Sequence, residues 1–175
     1  WAEQAVDVIK DNLQPLLDAI YSLLNWMADS TKDLLMTVPD LWMILIISVF
    51  SLLVTRKIIM SGLIGVALLV IWNMGLWELS MLTLTLVVVA AIISLLVGIP
   101  LGILSAKSDW LNKGMKVVLD FMQTMPSFVY LIPVVILFRL GNVPGIIATV
   151  IFALPPVVRF TDLGIREVPK ELKEV

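Results

Sequence analysis

The sequence predicts an all-α, polytopic helical membrane protein with about five spans behind an N-terminal amphipathic helix. Three observations carry that prediction. Of 175 residues, 60% are hydrophobic and only 15% charged, and the mean hydropathy is +1.04; an average soluble domain is about half apolar and about a quarter charged. The apolar residues run on in stretches close to the roughly 20 that a bilayer-crossing helix needs. Lys and Arg gather at alternate ends of those stretches, as the positive-inside rule requires.

Five segments qualify as spans: residues 38–55, 58–77, 79–106, 117–138 and 143–158. The third is long enough to tilt or to bend near Pro100, and the fifth ends in Pro155-Pro156. Arg56 and Lys57 follow the first span, Lys107, Lys113 and Lys116 the third, and Arg159, Arg166, Lys170 and Lys173 the fifth. The other side has Lys10, Lys32 and Arg139. This bias places the N-terminus outside and residue 175 in the cytoplasm. The chain opens on Trp1 and has no short apolar core before a small-residue cleavage site. The first span is therefore expected to act as the targeting signal, and the chain to be a fragment.

Residues 1–37 differ in character. Val6, Ile9, Leu13, Leu16, Leu17, Ile20, Leu23, Leu24 and Met27 recur at three- and four-residue spacing, with Asp7, Lys10, Asp11 and Asp18 mostly opposite. That is one apolar helix face. Pro15 is expected to start a second helix or kink the first, and Ser30-Thr31-Lys32-Asp33 resembles a capping box for a further turn. Two readings stand: an extracytoplasmic helix lying on the bilayer with Trp1 and Trp26 at its interface, or a docking element for a partner. Seven acids against two bases over residues 1–40 argue against strong binding to anionic lipid.

Composition also removes several chemistries. With no cysteine and no histidine, the chain offers no disulfide, thiolate ligand or Cys nucleophile, and lacks the commonest general base. No phosphate-binding loop, dinucleotide turn or metal-spaced acid cluster is present. The net charge of −2 gives no basic field for nucleic acid. Gly98-Ile99-Pro100-Leu101-Gly102 lies inside an apolar span and reads as close helix packing plus a bend. Thr83, Thr85, Ser94 and Ser105 either bond across helices or return to their own helix, the latter being commoner.

The fourth span contains QTMPSFVYLIP, residues 123–133, with two prolines in an apolar run. Proline costs about 3 kcal/mol in a helix interior. Broken helices are tolerated at membrane depth where they line a protein-enclosed or wet path. Gln123 and Thr124 lie just before Pro126, placed to satisfy freed backbone or to face such a path. Phe121, Phe128 and Tyr130 flank the break; they suit a quaternary ammonium path or ordinary packing, and they cannot all share one helix face. Asp120 reads either as the i,i+4 partner of Lys116 or as a counter-ion for a passing cation. The candidate path or gate is thus Asp120, Phe121, Gln123, Thr124, Pro126, Phe128, Tyr130 and Pro133. Candidate bends are Pro100, Pro155 and Pro156.

Residues 120–175 carry a more specific signal. DFMQTMPSFVYLIP, GNVPGIIATVIFALPPVVRFTDLGI and VPKELKEV follow one another, with VGIPLGI and AKSD upstream. In order and spacing they resemble the permease subunits of bacterial ABC importers for glycine betaine, proline betaine and related osmoprotectants. The first 37 residues match that family only in character. The resemblance implies a type I importer transmembrane domain (MetI-like) without a catalytic site of its own. It implies a second permease copy, a cytoplasmic ATPase dimer holding ATP and Mg, and an extracytoplasmic substrate-binding protein or domain. This chain is then expected to bind no cofactor or metal. Glu174 takes the Glu of the family's EAA-type coupling motif, and Val175 stands where its first Ala would be. The rest of that loop and about two further spans are expected beyond Val175. Residues 159–175 become the start of the coupling segment, with Arg166, Glu167, Pro169, Glu171 and Glu174 as candidate ATPase contacts. On charge alone, the same segment reads as a solvated juxtamembrane tail. An ATPase-independent transporter or channel subunit and a non-transporting membrane scaffold are the alternatives; the former calls for ionisable groups at mid-membrane depth, and the sequence has few.

Overall fold

A computed structural model describes residues 2–168, with side chains from Leu13 onward except that of Ser127. Among these residues the helices are α1 (Ala2–Met36), α2 (Asp40–Thr55), α3 (Ile58–Asn73), α4 (Trp77–Lys107), α5 (Asp109–Thr124), α6 (Ser127–Phe138) and α7 (Asn142–Arg166). The protein is all-helical there, with no strand. It divides into two compact units, one of Met27–Thr85 and one of the chain up to Trp26 and from Leu86 on. Both α1 and α4 contribute to each.

In the Met27–Thr85 unit, α2 and α3 form a hairpin. Arg56 closes α2 in the left-handed conformation (φ 54°), and its N–H returns to Leu52 O at 2.8 Å. The hairpin is tight where Ser48 meets Gly65: a Cβ added at Gly65 would stand 2.9 Å from Ser48 Oγ. Trp72 Nε1 donates to Asp40 Oδ2 at 3.2 Å, joining the end of α3 to the start of α2. Ile44, Trp77 and Met81 form a buried cluster with Leu35, Met43 and Leu68 around it. At its edge Lys32 pairs with Glu78 at 3.0 Å.

In the other unit, α4 and α7 cross at their small residues. A Cβ at Gly98 would meet Val157 Cγ1 at 2.7 Å, and one at Gly102 would meet Val158 O at 2.8 Å. The Gly98–Gly102 stretch therefore serves close helix packing, as its place in an apolar run indicates. Val158 is buried at this crossing, and Val89, Ala90, Val143 and Ile146 are buried elsewhere along the same two helices. Thr83 and Thr85 bond back to Leu79 O and Met81 O. Ser94 Oγ is buried without a hydrogen-bond partner.

Several boundaries depart from the sequence expectation. Pro15 lies inside α1 with no new helix start, and Ser30–Asp33 continue the same helix rather than capping another. The chain breaks later, before Pro39, which is disfavoured inside a helix. The segment expected as one span over 117–138 is parts of two helices, α5 and α6, broken at Met125-Pro126. α7 does not stop at Pro155-Pro156 but runs on to Arg166. By length and composition, α4 and α7 each suffice to cross a membrane. Leu13–Met36 with Asp40–Thr55, and Asp109–Thr124 with Phe128–Phe138, do so only as pairs bent by 90°, giving two to four candidate spans. Helices α2 and α3 have 16 residues each, about 24 Å at the helical rise, short of the roughly 30 Å hydrocarbon core.

Candidate functional site

Two features of the Leu86-onward unit bear on function: the break between α5 and α6, and a polar corner where α4, α5 and α7 end or begin.

The break follows from Pro126. It has no N–H to return to Met122 O, and it disfavours the helical region at Met125. Met125 is accordingly extended (φ −82°, ψ 136°), and Pro126 (φ −58°, ψ 140°) caps α6. One carbonyl in the last turn of α5 takes three local donors: Phe121 O accepts from Met125 N–H at 3.3 Å, Thr124 Oγ1 at 3.2 Å and Tyr130 Oη at 3.1 Å. Of these, Tyr130 reaches from α6 back to α5 across the break. Gln123 is exposed, as are the rings of Phe121 and Phe128. Pro133 sits inside α6 without ending it. Phe128 and Leu131 of α6 face Gly145, Ala148, Thr149 and Phe152 of α7 across an open groove of about 370 Å³. Asp120 does not pair with Lys116; its partner is Arg159 of α7.

The corner begins at Ser108, whose extended backbone and hydroxyl cap α5 by accepting from Leu111 N–H at 3.4 Å. Asn112 lies on the inner face of α5 with Leu119, and both are buried. Its Nδ2 donates to Asp162 Oδ2 at 2.7 Å and to Ser105 Oγ at 3.1 Å. Asp162 is only 6% exposed, and its other oxygen accepts from Arg166 Nε at 3.0 Å. Arg166 also donates to Asp109 Oδ1 at 2.8 Å and to Ser105 O at 3.1 Å. One guanidinium therefore joins the end of α4, the start of α5 and the end of α7. Hydrogen bonding to Arg166 holds the exposed Asp109 carboxyl below its ordinary value.

Of the residues singled out as coupling contacts, Arg166 lies in this corner and Glu167 caps α7, its N–H reaching Leu163 O at 2.9 Å. Pro169, Glu171 and Glu174 lie outside the described residues. Pro100, Pro155 and Pro156 lie within continuous helices. Ser105, Asp109, Asn112 and Asp162 were not singled out as site residues. The available signal was an Asn on an apolar stripe, Asn112-Met115-Leu119.

Comparison with known proteins places this geometry. Residues 98–175 match the model of the binding-protein-dependent transport system inner membrane component family. A glycine betaine/carnitine transport permease protein of Listeria monocytogenes is 44% identical over 178 residues, covering 99% of this chain and 62% of that protein. A glycine betaine/proline betaine transport system permease protein of Escherichia coli is 38% identical, covering 99% of this chain and 49% of that protein. The chain belongs to this family of transport permeases. A glycine betaine transport system permease protein of Bacillus subtilis is 46% identical over 120 residues, covering 69% of this chain and 42% of that protein. The chain thus spans between about two-fifths and three-fifths of the length of these relatives. Family and apolar helices together make it a multi-pass membrane protein. The matched region contains the α4–α7 crossing, the α5–α6 break and the polar corner.

Proposed function

We propose that the chain is the permease part of an ATP-driven ABC importer for glycine betaine or a related quaternary ammonium osmoprotectant. The observation that carries this reading is the alignment of nearly the whole chain with permeases named for glycine betaine. The partners are a cytoplasmic ATPase dimer, a second permease copy, an extracytoplasmic binding protein or domain, and the surrounding lipid. ATP and its Mg ion are held by the ATPase, and this chain supplies no catalytic group.

Five crossings, with the N-terminus outside and residue 175 in the cytoplasm, fit the distribution of Lys and Arg. The short α2 and α3 then cross with help from flanking residues and local thinning of the bilayer. The path runs beside the α5–α6 break, with Asp120, Phe121, Gln123, Thr124, Pro126, Phe128, Tyr130 and Pro133 as its candidates. Pro100, Pro155 and Pro156 soften α4 and α7. Arg166 and Glu167 lead into the ATPase contact, which Pro169, Glu171 and Glu174 complete. The exposed Phe128 and Phe152 rings beside the groove suit a cargo held by aromatic faces.

The test is uptake of labelled glycine betaine by the complete transport system in proteoliposomes. ATP-dependent uptake is expected, abolished by an ATPase-dead partner and strongly reduced by Pro126→Ala with Pro133→Ala while the melting temperature is kept. Uptake that persists with the dead ATPase would overturn the reading, and unchanged uptake in the double variant would remove the path from this break.

A further inference from the structure

We propose that Asp162 is a positioning residue: it fastens α5 to the C-terminal half of α7, so that the two move as one body about a level of prolines. The proposal rests on the ATPase-coupled reading above, and it adds how movement at the end of α7 reaches the break in α5–α6.

The fastening is double. Near the start of α5, the buried Asp162 carboxylate is used at both oxygens, one by Asn112 and one by Arg166. A buried carboxylate has no water to exchange these partners for, which makes the contact directional and costly to open. Eight residues along α5, Asp120 pairs with Arg159. Those two points lie about 12 Å apart along the α5 axis, and the buried Leu119 and Val158 line the space between the two helices. The Asp120–Arg159 pair is exposed and weak by itself, so the buried Asp162 contact carries the fastening and the second contact limits swivelling about it.

The other half of α7 belongs elsewhere. Its Gly145, Ala148, Thr149 and Phe152 share a groove with Phe128 and Leu131 of α6. Between the two halves stand Pro155 and Pro156, which return no N–H to Ile151 O and Phe152 O. Asp120 precedes Pro126 by six residues, and Arg159 follows Pro156 by three. Pro100 of α4 lies between Gly98, which faces Leu154 and Val157, and Gly102, which faces Val158 and Thr161. Each helix therefore loses backbone hydrogen bonds near the place where the body fastened by Asp162 ends. Bending is cheapest there.

The experiment uses the complete transport system, in which betaine taken up per ATP hydrolysed is measured. Asp162→Ala is expected to lower that ratio about tenfold or more, since it opens a buried contact made by a charged group. The exchange Asn112→Asp with Asp162→Asn keeps an amide–carboxylate bond across the same gap and is expected to restore most of the ratio. An unchanged ratio in Asp162→Ala, or no recovery in a folded exchange variant, would overturn the proposal. Because the sequence has no cysteine, spin labels at the exposed Val117 of α5 and Phe160 of α7 report the fastening in the assembled system independently of uptake. A single distance with and without trapped nucleotide is expected, broadened in Asp162→Ala; a distance that changes with nucleotide in the unaltered protein would also overturn it. If the unaltered system shows no ATP-driven betaine uptake, the functional reading fails, and the label distances still decide the fastening.

Discussion

Replacing Gly102 with alanine puts a methyl group where α4 and α7 touch. That carbon would stand 2.5 Å from Thr161 Cβ and 2.8 Å from the carbonyl oxygen of Val158. Neither atom can swing aside as a side-chain tip can: Thr161 Cβ is fixed to its own backbone, and so is the carbonyl oxygen. The contact with that oxygen is about 0.6 Å short of ordinary contact, so the helices must separate or α7 must slide. Overpacking of this kind costs about 1–3 kcal/mol. Sliding would also lengthen the Arg166 Nη2 bond to Ser105 O, already 3.1 Å. Gly114 and Gly164 supply the control: both are in helices, and an added Cβ meets nothing within 4 Å. Alanine there should help by about 0.5–1 kcal/mol through reduced backbone entropy in the unfolded chain. Gly102 lies inside α4 and gains the same entropy term, so the Gly102 and Gly114 variants should differ by the overpacking cost, about 1–3 kcal/mol. Near-UV circular dichroism in detergent at a fixed scan rate should show Gly102→Ala melting several degrees lower. If Gly102→Ala melts at or above Gly114→Ala, the α4–α7 crossing is not as close as described, and the packing role of the glycine pair fails.

Two further outcomes follow from single groups. Ser94→Ala should be neutral or stabilising by about 1 kcal/mol, because the hydroxyl it removes is buried without a partner; a clear drop in melting temperature would mean the hydroxyl is bonded. The Asp109 carboxyl, held below its ordinary 3.8 by Arg166, favours the native state above that pH and loses its contribution only as pH falls through its lower native value. Carboxyl-carbon NMR should therefore show Asp109 more than half ionised at pH 3.8, with Arg166→Gln raising its midpoint toward the ordinary range.

What the sequence made legible was local. Pro126 marked the α5–α6 break because losing an N–H is a property of the residue itself, although the apolar stretch reads as one span and Pro133 does not end α6. The back-bonding of Thr83 and Thr85 and the packing role of Gly98 and Gly102 follow from small and hydroxyl residues in an apolar run. The corner was not legible. Asn112 and Asp162 are 50 residues apart and Asp120 and Arg159 are 39 apart, and no periodicity says which helices will meet. Local reasoning gave Asp120 the neighbour at i−4; tertiary packing gave it Arg159 instead. Pro155-Pro156 misled in the opposite sense, because packing against α4 carries α7 on to Arg166.

The distribution of polar contacts also bears on what such a permease can pass. Ser48, Thr85 and Thr149, each well inside an apolar helix, donate to their own i−4 carbonyls at 2.7, 2.8 and 2.7 Å. Their hydroxyl hydrogens are spent at home. Charged side chains join one helix to another near helix ends at Lys32–Glu78, Trp72–Asp40 and the Arg166 corner, and beside the α5–α6 break at Asp120–Arg159, where each charge already has its partner. On the reading proposed above, a path bounded by these helices has few fixed groups to replace the water around a small cation, whose dehydration is costly. A quaternary ammonium needs no such replacement: its methyl groups donate no strong hydrogen bond, and aromatic faces such as Phe128 and Phe152 attract its spread charge. The same walls that hinder a small hydrated ion are therefore compatible with the weakly hydrated ammonium head of a betaine, whose carboxylate still needs hydrogen-bond donors along the path.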